Sequence, residues 1–208
     1  MNPYHKIDSV YLRDPATKHK TFLIGQYARD EFEFLAHLEW VWTEKIDGTN
    51  IRVHWDGANV RFGGRSDSAQ IPAFLVEHLQ DTFTPERMAA AFTGEATLYG
   101  EGYGARIQKG GGNYRPDAGF ILFDAHCGVW LRRDDVEDVA SKLGVPAVPV
   151  VGTGTLPAAV ISAREGFNSA CAQVAGTQAE GLVMRPAVEL TDRMGRRIIT
   201  KVKHRDFQ

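Results

Sequence analysis

The sequence contains few cysteines, no long apolar run and no excess of charge of one sign. Its 208 residues include two cysteines, Cys127 and Cys171, which are too few for a disulfide framework and favour a reducing compartment. No apolar run approaches the roughly 18 residues that a membrane-spanning helix needs. The N-terminal residues also lack the apolar segment of a secretion signal. We therefore expect a cytoplasmic protein that does not associate with a membrane.

The charge of the chain is nearly balanced but unevenly distributed. The net charge of −2 argues against a broad basic surface that binds nucleic acid without specificity. The segment from Arg193 to Arg205, however, contains six lysines and arginines and no acidic residue. This segment is either a solvated pair of strands or a patch that meets phosphate groups, and composition alone slightly favours the first alternative.

Hydrophobic periodicity predicts a mixed α/β (α+β) domain built on antiparallel sheets. Alternating apolar residues and turn signals predict strands at residues 51–55, 60–62, 97–99, 120–125, 182–184 and 197–203. Helical spacing predicts helices at residues 31–38, 72–79, 85–92, 134–143 and 166–174, and a glycine-rich loop at 100–119. No repeat or linker interrupts the pattern, so one domain is expected over residues 1–208.

The segment Glu44-Lys45-Ile46-Asp47-Gly48-Thr49-Asn50 is the first candidate for a chemical site. Its Lys-x-Asp-Gly pattern is weak alone, because average residue usage produces it in roughly 4% of chains of this length. Further polar residues follow it at strand ends or between glycines: Arg65, Glu101, Asp124, Glu180, Lys201 and Lys203. Lys201 and Lys203 share one face of a strand, because strand side chains alternate with period two.

In this ordered set the sequence resembles the covalent nucleotidyltransferases, which comprise ATP-dependent DNA ligases, RNA ligases and mRNA capping enzymes. Asn50 stands where DNA ligases and capping enzymes usually have arginine, and this looks like the RNA ligase 2 branch. The segments 63–67 and 100–110 look like that branch too. The resemblance implies a nucleotidyltransferase (ATP-grasp-like) fold, with two mainly antiparallel sheets flanked by helices.

The resemblance also implies ATP and Mg²⁺ (or Mn²⁺) as cofactors and a lysyl-AMP intermediate. Lys45 would attack the α-phosphorus of ATP, and the AMP would then activate a 5′-phosphate end for attack by a 3′-hydroxyl. The attacking amine must be neutral, whereas an ordinary lysine is neutral in only about one molecule in 10³ near pH 7. Nearby positive charge, desolvation and a bound metal all favour a neutral amine.

Each residue of the ordered set has a role in this scheme. The catalytic residues would be Lys45, Lys201 and Lys203. The nucleotide would be bound by Glu44, Lys45, Ile46, Asn50, Arg65, Glu101, Phe123, Glu180, Lys201 and Lys203. Glu180 and Asn50 would hold the metal, since Mg²⁺ prefers oxygen ligands. Gln108, Lys109 and Arg115 are weaker candidates for contacts with a nucleic acid, expected to be RNA, and a solvated loop explains them equally well.

Two features depart from the pattern of the family. Arg185 stands where many relatives have lysine, and these two side chains are not geometrically equivalent. The chain ends five residues after Lys203, so we expect no C-terminal OB or helical domain, and an accessory protein is a candidate partner in its place.

Two alternative functions remain open on the sequence. A DNA ligase or another AMP-transferring relative is the first, and Asn50 weighs against the DNA ligase. A non-catalytic nucleic-acid-binding module that retains the fold is the second, and the presence of Lys45, Glu101 and Glu180 weighs against it. The glycines at 110–112 do not match a Walker phosphate loop, and no cysteine or histidine spacing matches a zinc site.

Overall fold

The computed structural model describes residues 3–208. The strands in this part of the chain are Asp8–Ser9 (β1), Tyr11–Arg13 (β2), Phe22–Tyr27 (β3), Trp40–Glu44 (β4), Thr49–Trp55 (β5), Val60–Gly63 (β6), Ala96–Gly104 (β7), Ala118–His126 (β8), Val150–Gly154 (β9), Gly181–Pro186 (β10) and Thr200–Lys203 (β11). The helices are Asp30–Phe34 (α1), Ala73–Thr82 (α2), Pro85–Ala91 (α3), Gly111–Tyr114 (α4), Arg133–Leu143 (α5) and Leu156–Glu165 (α6). Short 3₁₀ turns lie at Pro15–Thr17 and His204–Phe207.

The first of two compact units comprises residues 3–5, 47–148 and 172–174. Its antiparallel sheet has the strand order β6-β5-β7-β8. Ile51, Val53 and Trp55 of β5 are buried in a core that also includes Leu75 of α2 and Val136 of α5. Because strand side chains alternate, the residues between them point to the opposite face of the sheet, which is polar.

The second unit comprises residues 6–46, 149–171 and 175–208. Its five-stranded sheet has the order β1-β11-β10-β4-β9, in which β1 runs parallel to β11 and the other pairs are antiparallel. One face is apolar and contributes Trp40, Leu182, Met184 and Val202 to a core shared with α1 and α6. The other face presents Thr43, Val183, Lys201 and Lys203, since these residues occupy the alternate positions.

The predicted mixed α/β class, with antiparallel sheets flanked by helices, is confirmed. The prediction of one domain over residues 1–208 stays a prediction. None of the helices among the described residues has the length and apolar character required to span a membrane.

The predicted glycine-rich loop at residues 100–119 is wrong over much of its length. Strand β7 continues to Gly104, α4 spans Gly111–Tyr114, and β8 begins at Ala118. Glycine is usually depleted in strands, but here it makes room for neighbouring side chains. A Cβ on Gly100 would lie 2.2 Å from Cζ of Phe120, and one on Gly102 would lie 2.6 Å from Cδ2 of Leu75.

The helix predicted at residues 166–174 is also wrong. The helix in this region is α6, which ends before Gly166 at Glu165. Thr155 caps its N-terminus by accepting a hydrogen bond from the N–H of Ala158, and proline occupies its first turn, as is typical of helix starts. Gly166 then adopts φ +83°, a conformation that ends the helix.

Candidate active site

The side chains of Lys45, Glu180 and Lys203 form a cluster on the polar face of the second unit. Lys45 follows β4, and its backbone N–H donates to the carbonyl of Gly181 at 2.9 Å. Its Nζ lies 2.6 Å from Oε2 of Glu180, and Nζ of Lys203 lies 2.6 Å from Oε1 of the same carboxylate. The glutamate side chain is 11% exposed. One largely enclosed carboxylate therefore holds two lysine amines at a fixed separation.

The protonation of Glu180 is controlled by these neighbours. Burial raises the pKa of its carboxyl, but the charges of Lys45 and Lys203 and their hydrogen bonds outweigh burial, so that the pKa is lowered below the ordinary value of 4.5. Glu180 is therefore ionised at neutral pH and is a poor proton acceptor, although it is well suited to position an amine.

Lys201 lies on the same face as Lys203, two residues earlier on β11. It stands opposite Val183 of β10 on one side and Ser9 of β1 on the other. Lys201 thus extends the row of cationic side chains along β11, away from the end of the strand that is level with Lys45.

Glu44 and Ile46, which flank Lys45, are both buried. The carboxylate of Glu44 accepts hydrogen bonds from the hydroxyl of Ser169 and from the N–H of Ala170. Burial raises its pKa, an effect that the hydrogen bonds from residues 169–171 partly offset. The side chain of Glu44 therefore anchors the 169–171 segment next to the strand that precedes Lys45.

Asn50 and Glu101 stand directly opposite each other in the sheet of the first unit. Cross-strand partners project from the same face, so both side chains lie on the polar face of that sheet. The Oδ1 atom of Asn50 is buried and has no hydrogen-bond partner among residues 3–208. A buried acceptor without a partner is costly and calls for an explanation, for example an ion or a water molecule.

Phe123 lies at a β-bulge rather than at the end of a strand, as the sequence had suggested. Tyr99 pairs with Asp124 and Gly100 pairs with Leu122, so Phe123 is the extra residue of β8. Bulges re-aim side chains and are frequent beside active sites. The ring of Phe123 is half-buried and lies edge-on to Tyr4, with centroids 5.1 Å apart.

Asp124 is fully buried next to this bulge. It accepts a hydrogen bond from the hydroxyl of Tyr4 at 2.7 Å. The sequence analysis assigned no role to Tyr4, because the residue lies far from the motifs along the chain. The contact places the N-terminal segment beside the bulged aromatic ring.

Arg65 is exposed in the loop that follows β6. The loop is held by Arg52, a fully buried residue whose Nε donates to the carbonyl of Gly64 at 2.7 Å and whose Nη2 donates to Asp67 at 2.8 Å. The sequence analysis assigned no role to Arg52. Its position two residues after Asn50 on β5 was the available signal, because this spacing puts both residues on the same face of the strand.

The three candidates for nucleic-acid contacts differ in their surroundings. Gln108 is exposed and donates to the carbonyl of Gly48 at 2.9 Å, so it supports the loop after Lys45. Arg115 forms a two-point ion pair with Asp117, at 2.8 and 3.0 Å. Lys109 is exposed and forms no ion pair with any described residue.

The Gly48 position of the Lys-x-Asp-Gly motif admits no larger residue. A Cβ there would lie 2.2 Å from the carbonyl oxygen of Gly102 and 2.8 Å from Cγ of Glu101. Gly48→Ala is expected to lower the free energy of unfolding by about 1–3 kcal/mol, the usual cost of overpacking, as measured by urea denaturation. Gly94→Ala is the matched control, because nothing lies within 4 Å of its Cβ. Equal losses in the two variants would contradict the prediction.

The assignment of Glu180 and Asn50 as metal ligands stays a prediction. Among residues 3–208, no group of three or more histidine, cysteine, aspartate or glutamate side chains is arranged to hold a metal ion.

Comparisons with solved structures find similar folds among RNA ligases. A structure of Naegleria gruberi RNA ligase, a point variant with ATP and Mn, aligns with a TM-score of 0.65 at 18% identity, covering 83% of this chain and 52% of that one. The same ligase with PPi aligns with a TM-score of 0.61 at 18% identity, covering 83% and 51%. The chain thus spans about half the length of these structures. A search of curated proteins found no match.

These structural matches show a shared nucleotidyltransferase fold. The sequence model of the RNA ligase family matches residues 38–203, a range that includes every residue of the ordered set from Lys45 to Lys203. The chain belongs to the RNA ligase family.

Proposed function

We propose that the chain is an ATP-dependent RNA ligase that acts through a covalent Lys45–AMP intermediate and joins 3′-hydroxyl to 5′-phosphate ends. The observation that supports this most strongly is the cluster in which Glu180 holds the amines of Lys45 and Lys203 on its two oxygens, each at 2.6 Å. A solvated surface lysine has no need of a carboxylate that is only 11% exposed, whereas a nucleophile must be positioned.

In the first step, Nζ of Lys45 attacks the α-phosphorus of ATP. A P–N bond forms, the bond to the bridging oxygen breaks, and its electron pair leaves with pyrophosphate while the amine loses its protons to solvent. The AMP then passes to the 5′-phosphate end, and attack by the 3′-hydroxyl forms the phosphodiester and releases AMP. Glu180 is a positioning residue in this scheme, because its lowered pKa makes it a weak base.

Charge stabilisation is the role we propose for Lys201 and Lys203. Negative charge develops on the phosphate oxygens and on the leaving pyrophosphate, and preorganised cations lower the energy of such a transition state. Lys203 is held in place by Glu180, so it pays no reorganisation cost when the charge appears.

The first unit offers groups suited to a nucleoside monophosphate. Phe123, re-aimed by the bulge in β8, suits stacking on an adenine base. Glu101 is the proposed acceptor of hydrogen bonds from ribose hydroxyls, and the exposed guanidinium of Arg65 suits a two-point contact with a phosphate. The backbone at Glu44 and Ile46 is proposed to form hydrogen bonds with the edge of the adenine base.

ATP is expected to bring a divalent cation, Mg²⁺ or Mn²⁺, which would supply charge neutralisation at the phosphates. The residues present fit such an ion as partial ligands. The partnerless Oδ1 of Asn50 is a neutral oxygen ligand, and Glu180 is a carboxylate, although both its oxygens hold lysine amines. Mg²⁺ commonly uses one or two protein oxygens together with substrate phosphates and water.

RNA is the proposed nucleic acid because Asn50 replaces the arginine of the DNA ligases and because the family match is to RNA ligases. Lys109 is the best placed of the three candidates for a contact with the strand, since Gln108 and Arg115 are engaged within the protein. An accessory protein that helps to grip the nucleic acid remains part of the proposal.

The intact mass of the protein after incubation with ATP and Mg²⁺ or Mn²⁺ tests the proposed intermediate. The expected result is a gain of one AMP per chain, which peptide mapping places on Lys45 and which pyrophosphate reverses. A wild-type protein that gains no AMP with either metal would contradict the catalytic proposal. Parallel assays with nicked RNA, nicked DNA and single-stranded ends then identify the substrate, and sealing of DNA alone would contradict the assignment to RNA.

A further inference from the structure

Arg52 is a buried cation that has no part in the chemistry proposed above. It lies on β5 between Ile51 and Val53, which belong to the core of the first unit. Because strand side chains alternate, the side chain of Arg52 lies on the opposite face of the sheet, yet none of its surface is exposed. Burial of a charge is costly unless its donors are satisfied, so a fully buried arginine at this position calls for an explanation.

The guanidinium of Arg52 holds the loop after β6 at two points. Its Nε donates to the carbonyl of Gly64 at 2.7 Å, and its Nη2 donates to Oδ1 of Asp67 at 2.8 Å. Gly63, the last residue of β6, is the cross-strand partner of Arg52, so both acceptors follow the pairing directly. Gly64 precedes Arg65 and Asp67 follows it. One rigid, planar group therefore fixes the chain on both sides of Arg65.

The loop is also compact in itself. The N–H of Ala69 donates to the carbonyl of Ser66 at 3.1 Å, and a Cβ on Gly64 would lie 2.8 Å from Cβ of Ala69. Arg65 is nevertheless exposed and forms no ion pair with any other residue between 3 and 208. The loop thus has a defined backbone and presents one uncommitted guanidinium to solvent.

The ion pair between Arg52 and Asp67 is poorly suited to stabilising the fold. Asp67 is 83% exposed, whereas Arg52 is fully buried, and water screens a pair with so exposed a partner. An apolar residue in place of a buried charge is often neutral or stabilising. What an apolar residue would not supply is a pair of hydrogen bonds in fixed directions. Such bonds pre-order a loop, and a pre-ordered loop binds a ligand without a further loss of entropy.

We propose that Arg52 is a positioning residue, which holds the loop so that Arg65 binds the phosphate of a nucleoside 5′-phosphate. The phosphate would be that of AMP or that of an RNA 5′ end. The inference rests on the proposed function for the choice of this ligand. Arg52 is itself buried and acts only through Arg65. A two-point contact between arginine and phosphate depends on the direction of the guanidinium, so a displaced loop weakens it.

Calorimetric titration with AMP and with adenosine, which lacks the phosphate, tests this role on the full chain. Arg65→Ala is expected to raise the dissociation constant for AMP at least about tenfold, since a charge-assisted contact is lost. Arg52→Lys keeps the charge but not the planar group, and a rise of at least about fivefold is expected. Affinity for adenosine is expected to change less than about twofold in both variants.

The decisive measurement is Arg52→Lys in the Arg65→Ala background. If Arg52 acts through Arg65, the contact that it serves is already absent there, and the dissociation constant for AMP is expected to change by less than about twofold. A residue that merely stabilises the fold would lower the affinity equally in both backgrounds, and it would lower it for adenosine as well as for AMP.

Asp67→Asn is a milder second variant, because the side chain is exposed and the fold is expected to survive. The dissociation constant for AMP is expected to rise about two- to threefold, as befits an exposed ion-pair partner, and this rise is also expected to disappear in the Arg65→Ala background. Asp81→Asn, at an exposed position on α2, is the matched control and is expected to bind AMP like the wild type. Thermal unfolding checks that each variant is folded.

The same comparison between 5′-phosphorylated and 5′-hydroxyl RNA identifies which phosphate Arg65 binds. A coupled loss in the AMP pair or in the RNA pair supports the proposal. Losses that are equal with and without the phosphate, or that persist in the Arg65→Ala background, would overturn it, and so would unchanged affinities in both pairs. None of these titrations needs a covalent step. A coupled loss in a protein that gains no AMP would therefore refute the proposed function and leave this inference standing.

Discussion

Lys45→Arg is expected to abolish covalent attachment of AMP while leaving the protein folded. Arginine keeps a positive charge beside Glu180, so the ion pair that now measures 2.6 Å retains a cationic partner. The guanidinium is always protonated in proteins and is not a nucleophile. The intact mass after incubation with ATP and metal is therefore expected to show no adduct, whereas calorimetry is expected to detect noncovalent ATP binding.

Two companion variants make this result specific. Lys142→Arg, at an exposed lysine of α5 that pairs with Asp138, is expected to form the adduct like the wild type. Lys45→Ala is expected to lose the adduct and also some stability, because Glu180 then keeps only Lys203 as a partner. An AMP adduct on Lys45→Arg would show that another residue is the nucleophile and would refute the Lys45 mechanism.

The residues of the cluster formed by Lys45, Glu180 and Lys203 could be named from the sequence, because the order of the motifs along the chain resembles that of the covalent nucleotidyltransferases. Lys45, Glu180 and Lys203 are spread over most of the chain, yet the structure brings them within hydrogen-bond distance. Single-strand patterns do not specify which strands become neighbours, because that depends on long-range pairing. Strands β4 and β10 pair directly, and the backbone hydrogen bond from Lys45 to Gly181 brings Lys45 next to Glu180.

Residues whose placement depends on packing were harder to predict. The bulge at Phe123 arises from the register between β7 and β8, which alternation within one strand does not reveal. The continuation of β7 beyond the predicted strand at residues 97–99 was missed because glycine propensities describe an average sheet, whereas Gly100 accommodates the ring of Phe120. In both cases a tertiary contact overrides the local pattern.

The cationic residues of the basic C-terminal segment divide into two groups in the structure. Arg196 pairs with Asp192, and Arg197 pairs with Glu189, so these cations are neutralised locally. Lys201, Lys203 and Arg205 instead line a pocket that residues 6–9 and 11–13 and Lys20 also line. Composition could not separate the two groups, because the acidic partners at 189 and 192 lie outside the basic run and the pocket needs residues from the N-terminal segment.

Glu180→Gln is expected to slow formation of the AMP adduct by at least about 100-fold, the loss that follows when a reacting group is misplaced by roughly 1 Å. The amide keeps the shape of the side chain but removes the charge that holds Lys45 and Lys203, each now at 2.6 Å from it. The two ammonium groups then repel each other and separate. Single-turnover measurement of adduct formation gives the rate, and Glu165→Gln, an exposed position at the end of α6, is the control that is expected to keep the wild-type rate.

The same variant has an expected pH signature in stability. The pKa of Glu180 is lowered in the folded protein, so its ion pairs stabilise the fold above the ordinary value of 4.5 and are lost as the pH falls through the folded-state pKa. Urea denaturation at pH 7 is expected to show Glu180→Gln less stable than wild type by about 1–3 kcal/mol. That difference is expected to shrink as the pH falls below 4.5, because the protonated wild-type carboxyl then resembles the amide. A difference that persists unchanged in acid would mean that the charge of Glu180 does not hold the two lysines, and the role of Glu180 in positioning Lys45 would have to be abandoned.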